Sequence, residues 1–149
     1  MQRKRDSALP ALIGALHLPE IISREGARAE ERFLEFFTAT IRNKNTRIAY
    51  ARAAVRFLNW CEKKRLSLDT IRPIHVAAYI EHHDGSPQTT KQHLAAIRMM
   101  FDYLVTGHII DSNPASSVRG PKYSIKKGKT PVLSAKETRR LLKSIDTST

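Results

Sequence analysis

The stretch TRIAYARAAVRFLNWCEKKR, residues 46–65, decides the fold. Wound at about 100° per residue, it gathers Tyr50, Ala54, Phe57, Leu58 and Cys61 on one face, with Ala51 and Val55 at the edge. Asn45, Arg52, Arg56, Asn59 and Lys63 fall on the opposite face. This spacing predicts an amphipathic helix with a cationic outer side, and its apolar side needs other helices to cover it. Asn43, just upstream, is the expected N-cap.

Working outward, Phe33, Phe36, Phe37 and Ile41 share one side of a helix predicted from about Arg28 to Ile41. Downstream, Ser67 to Arg72 is a connector, and Pro73 suits the first position of a third helix running through His83. Val76, Tyr79 and Ile80 give that helix its buried side. Ser86 then serves as N-cap and Pro87 as first residue of a fourth helix, which runs to about Thr106. Leu94, Ile97, Phe101, Leu104 and Val105 point inward, and Gly107 ends it. There is no period-2 pattern and no internal repeat. The expected fold is all-α, a four-helix bundle over residues 28–115.

The flanks differ in kind. Residues 1–27 begin with basic residues followed by an apolar run, Ala8 to Leu18, that Pro10 and His17 interrupt. Without a small-x-small cleavage pair this is an extension rather than a signal peptide, with room for one short helical turn. Residues 116–131 contain Arg119, Lys122, Lys126, Lys127 and Lys129 and no acid, so they hold five of the twelve net positive charges. Gly120, Pro121, Gly128 and Pro131 keep this segment from regular structure, which makes it a linker. In residues 132–149, Ser134 and Glu137 form a capping box ahead of Leu141 and Leu142. One short helix cannot bury its apolar face alone, so it reads as the first element of a further domain.

The formal net charge is +12, and the sequence pI is near 10.3. Such a surplus repels itself unless a polyanion neutralises it, so nucleic acid or an anionic membrane is the natural partner. A merely solubilising basic surface is the plainer alternative. No apolar run approaches the roughly 20 residues that span a bilayer. Cys61 is the single cysteine and cannot form an internal disulfide, which suits a reducing cytoplasm. His82 and His83 are adjacent rather than one helical turn apart, and Cys61 has no cysteine neighbour, so neither metal nor cofactor is expected. Trp60, Met99 and Met100 read as core or core-edge residues, and Tyr50 and Tyr79 as core packing.

Four pieces follow one another along the chain: N-T-x3-Y-x6-F-x2-W-C from Asn45 to Cys61, T-x4-L-x2-I-R from Thr89 to Arg98, NPASSVRGPK from Asn113, and P-x-L-S-A-K-E-x3-L-L from Pro131. Together they resemble the amino-terminal half of a tyrosine recombinase of the phage-integrase family, over about Arg28 to Ser144. The resemblance implies a SAM-like core-binding domain that closes over one face of duplex DNA. It also implies that the second and fourth helices face the duplex and that the basic linker leads to a catalytic domain on the other face.

The residues permit this. Asn43, Lys44, Asn45, Thr46 and Arg47 gather at the start of the second helix, where free N–H groups and the helix dipole attract phosphate. Thr89, Thr90, Lys91 and Gln92 do the same at the start of the fourth. Gln92 suits an adenine edge, and Lys91 a phosphate or a guanine. A phosphate contact is implied for Arg98, the arginine of the family pattern. Arg52 and Arg56 extend the cationic face, against a plainer reading as a solvated helix surface. Arg119, Lys122, Lys126, Lys127 and Lys129 would neutralise phosphates along the linker, or act as a solubilising tether.

In that family a tyrosine attacks phosphate, assisted by arginines, a lysine and histidines of the catalytic domain. Tyr50, Tyr79, Tyr103 and Tyr123 match no nucleophile motif, so this chain is not expected to cut DNA. The expected partner is double-stranded DNA, with no small-molecule substrate, in a cytoplasm of bacterial, phage or plasmid origin. The chain alone is expected to be a monomer, although family members assemble as tetramers on DNA. Two other classes stay open: a stand-alone helix-turn-helix regulator, which wants two short helices joined by a three- or four-residue turn, and a helical protein-interaction adaptor.

Overall fold

The computed structural model of the chain describes residues 18–122. Its elements are α1 (Glu20–Ser23), α2 (Ala27–Ala39), α3 (Lys44–Lys63), α4 (Pro73–Glu81) and α5 (Pro87–Thr106), and no strand occurs among the described residues. The fold is all-α, as expected. The bundle begins earlier than residue 28, however. Ile21 and Ile22 of α1 are fully buried, and the Ile21 N–H donates to Glu62 Oε2 at 2.8 Å. A two-residue apolar pair has no period to betray it in sequence, yet it closes the core beside α2 and α3.

Capping chemistry sets the helix starts. Asn43 Oδ1 accepts the Thr46 N–H at 2.9 Å, and Ser86 Oγ accepts the Thr89 N–H at 3.1 Å. Pro73 and Pro87 open α4 and α5, as the sequence predicts. Gly26 precedes α2 with φ +107°, a conformation that favours glycine. Two helices end earlier than expected. After α2 stops at Ala39, Arg42 Nη2 donates to the Thr38 and Ala39 carbonyls at 3.0 and 3.2 Å. α4 stops at Glu81, so His83 lies in the turn beyond it.

The end of α5 is built differently from the expected glycine stop. Gly107 stays right-handed, and His108 takes the left-handed conformation with φ +61°. His108 N–H bonds the Val105 carbonyl, and Ile109 N–H bonds that of Leu104, both at 2.9 Å, which is a Schellman ending. α3 ends the same way through Arg65, with φ +62°. Gly107 serves close approach instead: Arg28 Nη2 donates to its carbonyl at 2.6 Å, and an added Cβ would collide with the Arg32 guanidinium. Arg32 itself donates to the Tyr103 carbonyl at 2.8 Å and lies over the Tyr103 ring. Left-handed φ is costly for a residue with a Cβ, so His108→Gly is expected to stabilise by about 0.5–1 kcal/mol. Thermal melts should show a rise of roughly 3–5 °C.

Phe57 sits at the centre of the core. Its ring meets Tyr79 edge-on at 5.0 Å and Phe101 at 6.0 Å, and stacks near Trp60 at 6.2 Å. Phe33, Phe36 and Phe37 of α2 fill the far side together with Leu104. Of the neighbouring Met99 and Met100, Met100 is buried and Met99 is 44% exposed. Tyr50 and Val105 are half-buried at the core's edge. Beyond α5 the chain does not leave at once. Pro114, Ala115 and Val118 are buried, so the segment expected to be free linker from residue 116 is packed at least to Val118. The expectations for residues 1–17 and 123–149, including Lys126, Lys127, Lys129 and the capping box at Ser134, lie outside the described residues.

Candidate nucleic-acid interface

Asn45, Arg52, Arg56, Asn59 and Lys63 are all exposed, so the stripe predicted on the outer face of α3 is present along its length, about 27 Å. Midway it meets the end of α4. Arg52, Arg56, Asn59, Lys63 and Trp60 from one side, with Tyr79, His82 and His83 from the other, line an open groove of about 540 Å³.

Arg56 Nη2 reaches Asp84 Oδ1 at 2.7 Å, tying α3 to the turn that leads into α5. Because of that bond Arg56 sits above the ordinary arginine value, and Asp84 lies below the usual carboxylate range. Both partners are exposed, so the tie is an orienting contact and a weak source of stability.

A second tie runs through two histidines. The Gly85 N–H donates to His83 Nδ1 at 2.9 Å, so that nitrogen accepts and Nε2 carries the proton. Nε2–H then donates to His93 Nδ1 at 2.8 Å, crossing from the turn to α5. Thr90 is buried beneath them and bonds the Ser86 carbonyl at 2.9 Å.

Burial lowers the pKa of His83, and the Arg56 charge adds to the effect. His93 is lowered by burial first, then by His83 and Arg56. Asp84 alone among the neighbours opposes this. Folded histidines held neutral take up fewer protons than unfolded ones, which titrate near 6.5. Stability should therefore be level above about pH 6.5 and fall as pH drops below it, through the lowered folded values. Thermal melts at pH 7.5 and pH 5 check this, and His93→Gln, which still accepts from His83 at every pH, should flatten the decline.

The first turn of α5 adjoins this turn. Lys91 and Gln92 are exposed there, whereas Thr89 is half-buried against its cap. Gly120 of the departing chain lies against the same turn: a Cβ built on it would be 3.4 Å from Lys91 Cγ and 3.5 Å from Leu94 Cδ2. Exposed Arg119 and Lys122 flank that point. Sequence positions far apart thus meet in two places: the α3 stripe joins the end of α4 and the turn after it, while the chain exit lies against the first turn of α5 and lines a second groove with Pro73, Ile74, Ala77 and Glu81 of α4.

Other expected contact residues are engaged elsewhere. Arg47 donates from Nε and Nη2 to the Ile41 carbonyl at 3.1 and 2.7 Å, closing the α2–α3 loop. Arg98 donates from Nε to the Ala115 carbonyl at 3.2 Å and from Nη2 to that of Val118. The Asn43 side chain is the α3 cap, and Thr90 is 4% exposed. Lys44, Asn45 and Thr46 remain exposed at the start of α3.

Sequence reasoning missed His82, His83 and Asp84 as members of this surface. In sequence, two adjacent histidines bear only on metal spacing, and their place beside α3 depends on the fold. Among the described residues no group of three or more His, Cys, Asp or Glu is placed to hold a metal, and no helix is long and apolar enough to cross a membrane. Cys61 and Tyr79 are both pushed up to about 12 by burial, so neither is a ready nucleophile.

Comparison with known proteins adds an independent finding. Residues 31–108 match the family described as phage integrase, N-terminal SAM-like domain. The chain is 24% identical over 109 residues to tyrosine recombinase XerC of Leptospira interrogans serogroup Icterohaemorrhagiae serovar copenhageni (strain Fiocruz L1-130). The same figures hold for XerC of serovar Lai (strain 56601). Each alignment covers 70% of this chain and 35% of the relative, so the match spans about a third of those proteins' length. No solved structure matches.

Proposed function

The chain belongs to the phage integrase family of tyrosine recombinases through its N-terminal SAM-like domain, and from that premise we propose that it binds duplex DNA through the surface just described. The observation that carries this reading is the exposed cationic stripe of Arg52, Arg56 and Lys63 on α3, tied to the turn before α5 by the Arg56–Asp84 and His83–His93 contacts, with Lys91 exposed at the start of α5 where Arg119 and Lys122 flank the arriving Gly120. Phosphate contacts fix the domain on the duplex without reading sequence, and Gln92 on the exposed start of α5 supplies base readout. The starts of α3 and α5 add backbone N–H donors and the positive end of each helix dipole. The chain grips as a monomer in the cytoplasm. Strand cleavage is assigned outside the matched region, which makes this chain the holding part of a recombinase and not its cutting part.

Fluorescence anisotropy tests this, with an inverted-repeat duplex and a random duplex compared at two salt concentrations. Lys91→Ala combined with Gln92→Ala should weaken binding and narrow the difference between the duplexes, with circular dichroism unchanged. Asp84→Asn should act oppositely. It removes the negative charge bonded to Arg56, so affinity is expected to rise about threefold at low salt. Absence of any duplex binding at physiological salt would leave the helical adaptor as the better reading.

A further inference from the structure

After α5 the chain doubles back along it. Asn113 Nδ2 donates to the Arg98 carbonyl at 3.0 Å and to Asp102 Oδ1 at 2.7 Å, and its Oδ1 accepts the Ala115 N–H at 2.8 Å. From the α5 side, Arg98 sends Nε to the Ala115 carbonyl and Nη2 to the Val118 carbonyl. Pro114, Ala115 and Val118 are buried under this clasp, and Gly120 arrives against Lys91 and Leu94. Residues 108–120 therefore return the chain from the end of α5 to its beginning, most of a 20-residue helix about 30 Å long. A guanidinium suits such a clasp because its donors form a rigid planar fork, whereas a lysine offers one compact charge.

The clasp decides where the basic segment starts. Held down, the strap lays Gly120 against Lys91 and so brings exposed Arg119 and Lys122 to the surface around the start of α5. Released, the same charges would swing from a pivot near Gly107, and their effective concentration over that surface would drop. We propose that Arg98 is a positioning residue for DNA binding, acting through the strap it holds and not by touching a phosphate. This rests on the DNA-binding reading above.

The test uses the full chain with Arg98→Lys, Arg98→Ala, the pair Arg119→Gln with Lys122→Gln, and the combinations. Without DNA, the clasp requires that Arg98→Lys speed amide exchange at Ala115, Ser116 and Val118 about tenfold, and trypsin cleavage at Arg119 likewise. Unchanged exchange overturns the clasp. With DNA, Arg98→Lys should weaken binding about three- to tenfold, nearly as much as Arg98→Ala, although it keeps the charge. It should add little once Arg119 and Lys122 are already glutamine. Full additivity, with Arg98→Lys close to wild type and Arg98→Ala lowering the salt slope by about one, would mean a direct phosphate contact and overturn the proposal. If the unaltered chain binds no duplex, the DNA-binding reading falls and takes the role in DNA binding with it, while faster exchange would still uphold the clasp itself.

Discussion

Raising monovalent salt from 50 to 200 mM is expected to weaken duplex binding by this chain two to three orders of magnitude. Arg52, Lys63, Lys91, Arg119 and Lys122 are exposed cations; Arg56 bonds Asp84, and Arg47 and Arg98 donate to loop carbonyls. If each of those five neutralises one phosphate, log K falls against log salt with a slope of about −4 to −5. Contributions from Lys126, Lys127 and Lys129 would steepen it further. An affinity indifferent to salt would mean that phosphates are not what the surface holds. Anisotropy titrations at four or five salt concentrations give the slope directly.

The second large effect is on stability. Phe57→Ala should cost about 3–5 kcal/mol, because the ring is fully buried and touches Trp60, Tyr79 and Phe101 from three helices. Domains of this size are commonly stable by about 5–15 kcal/mol, so the variant would sit near the edge of folding. Urea unfolding followed by circular dichroism measures it. A cost below about 1 kcal/mol would show that Phe57 is not the centre of the core.

Why these features differ in legibility follows from their physics. The helix starts at Asn43, Pro73 and Ser86 were readable because capping acts within three residues of sequence. The inward faces of α3 and α5 were readable because burial repeats at helical period. The roles of Arg47 and Arg98 were not. The helix start suggested phosphate for Arg47 and the family pattern implied it for Arg98, whereas both donate to loop carbonyls whose positions depend on the finished fold. Ile21 and Ile22 were hidden because a single turn shows no period. The His83–His93 bond joins residues ten apart across a turn, and neither the tautomer nor the contact has a local signature. Gly107 drew attention as a stop because glycine favours the left-handed conformation, yet the fold gave that conformation to His108 and used the glycine for room beside Arg32.

One measurement bears most directly on the whole account: amide chemical-shift mapping of the labelled chain as duplex DNA is added. The perturbed residues should cluster on Asn45 to Lys63 of the exposed α3 stripe, His82 to Asp84, Thr89 to Gln92, and Arg119 to Lys122. Shifts concentrated instead on α1 and the outer side of α2, or none at a duplex concentration that saturates anisotropy, would contradict it.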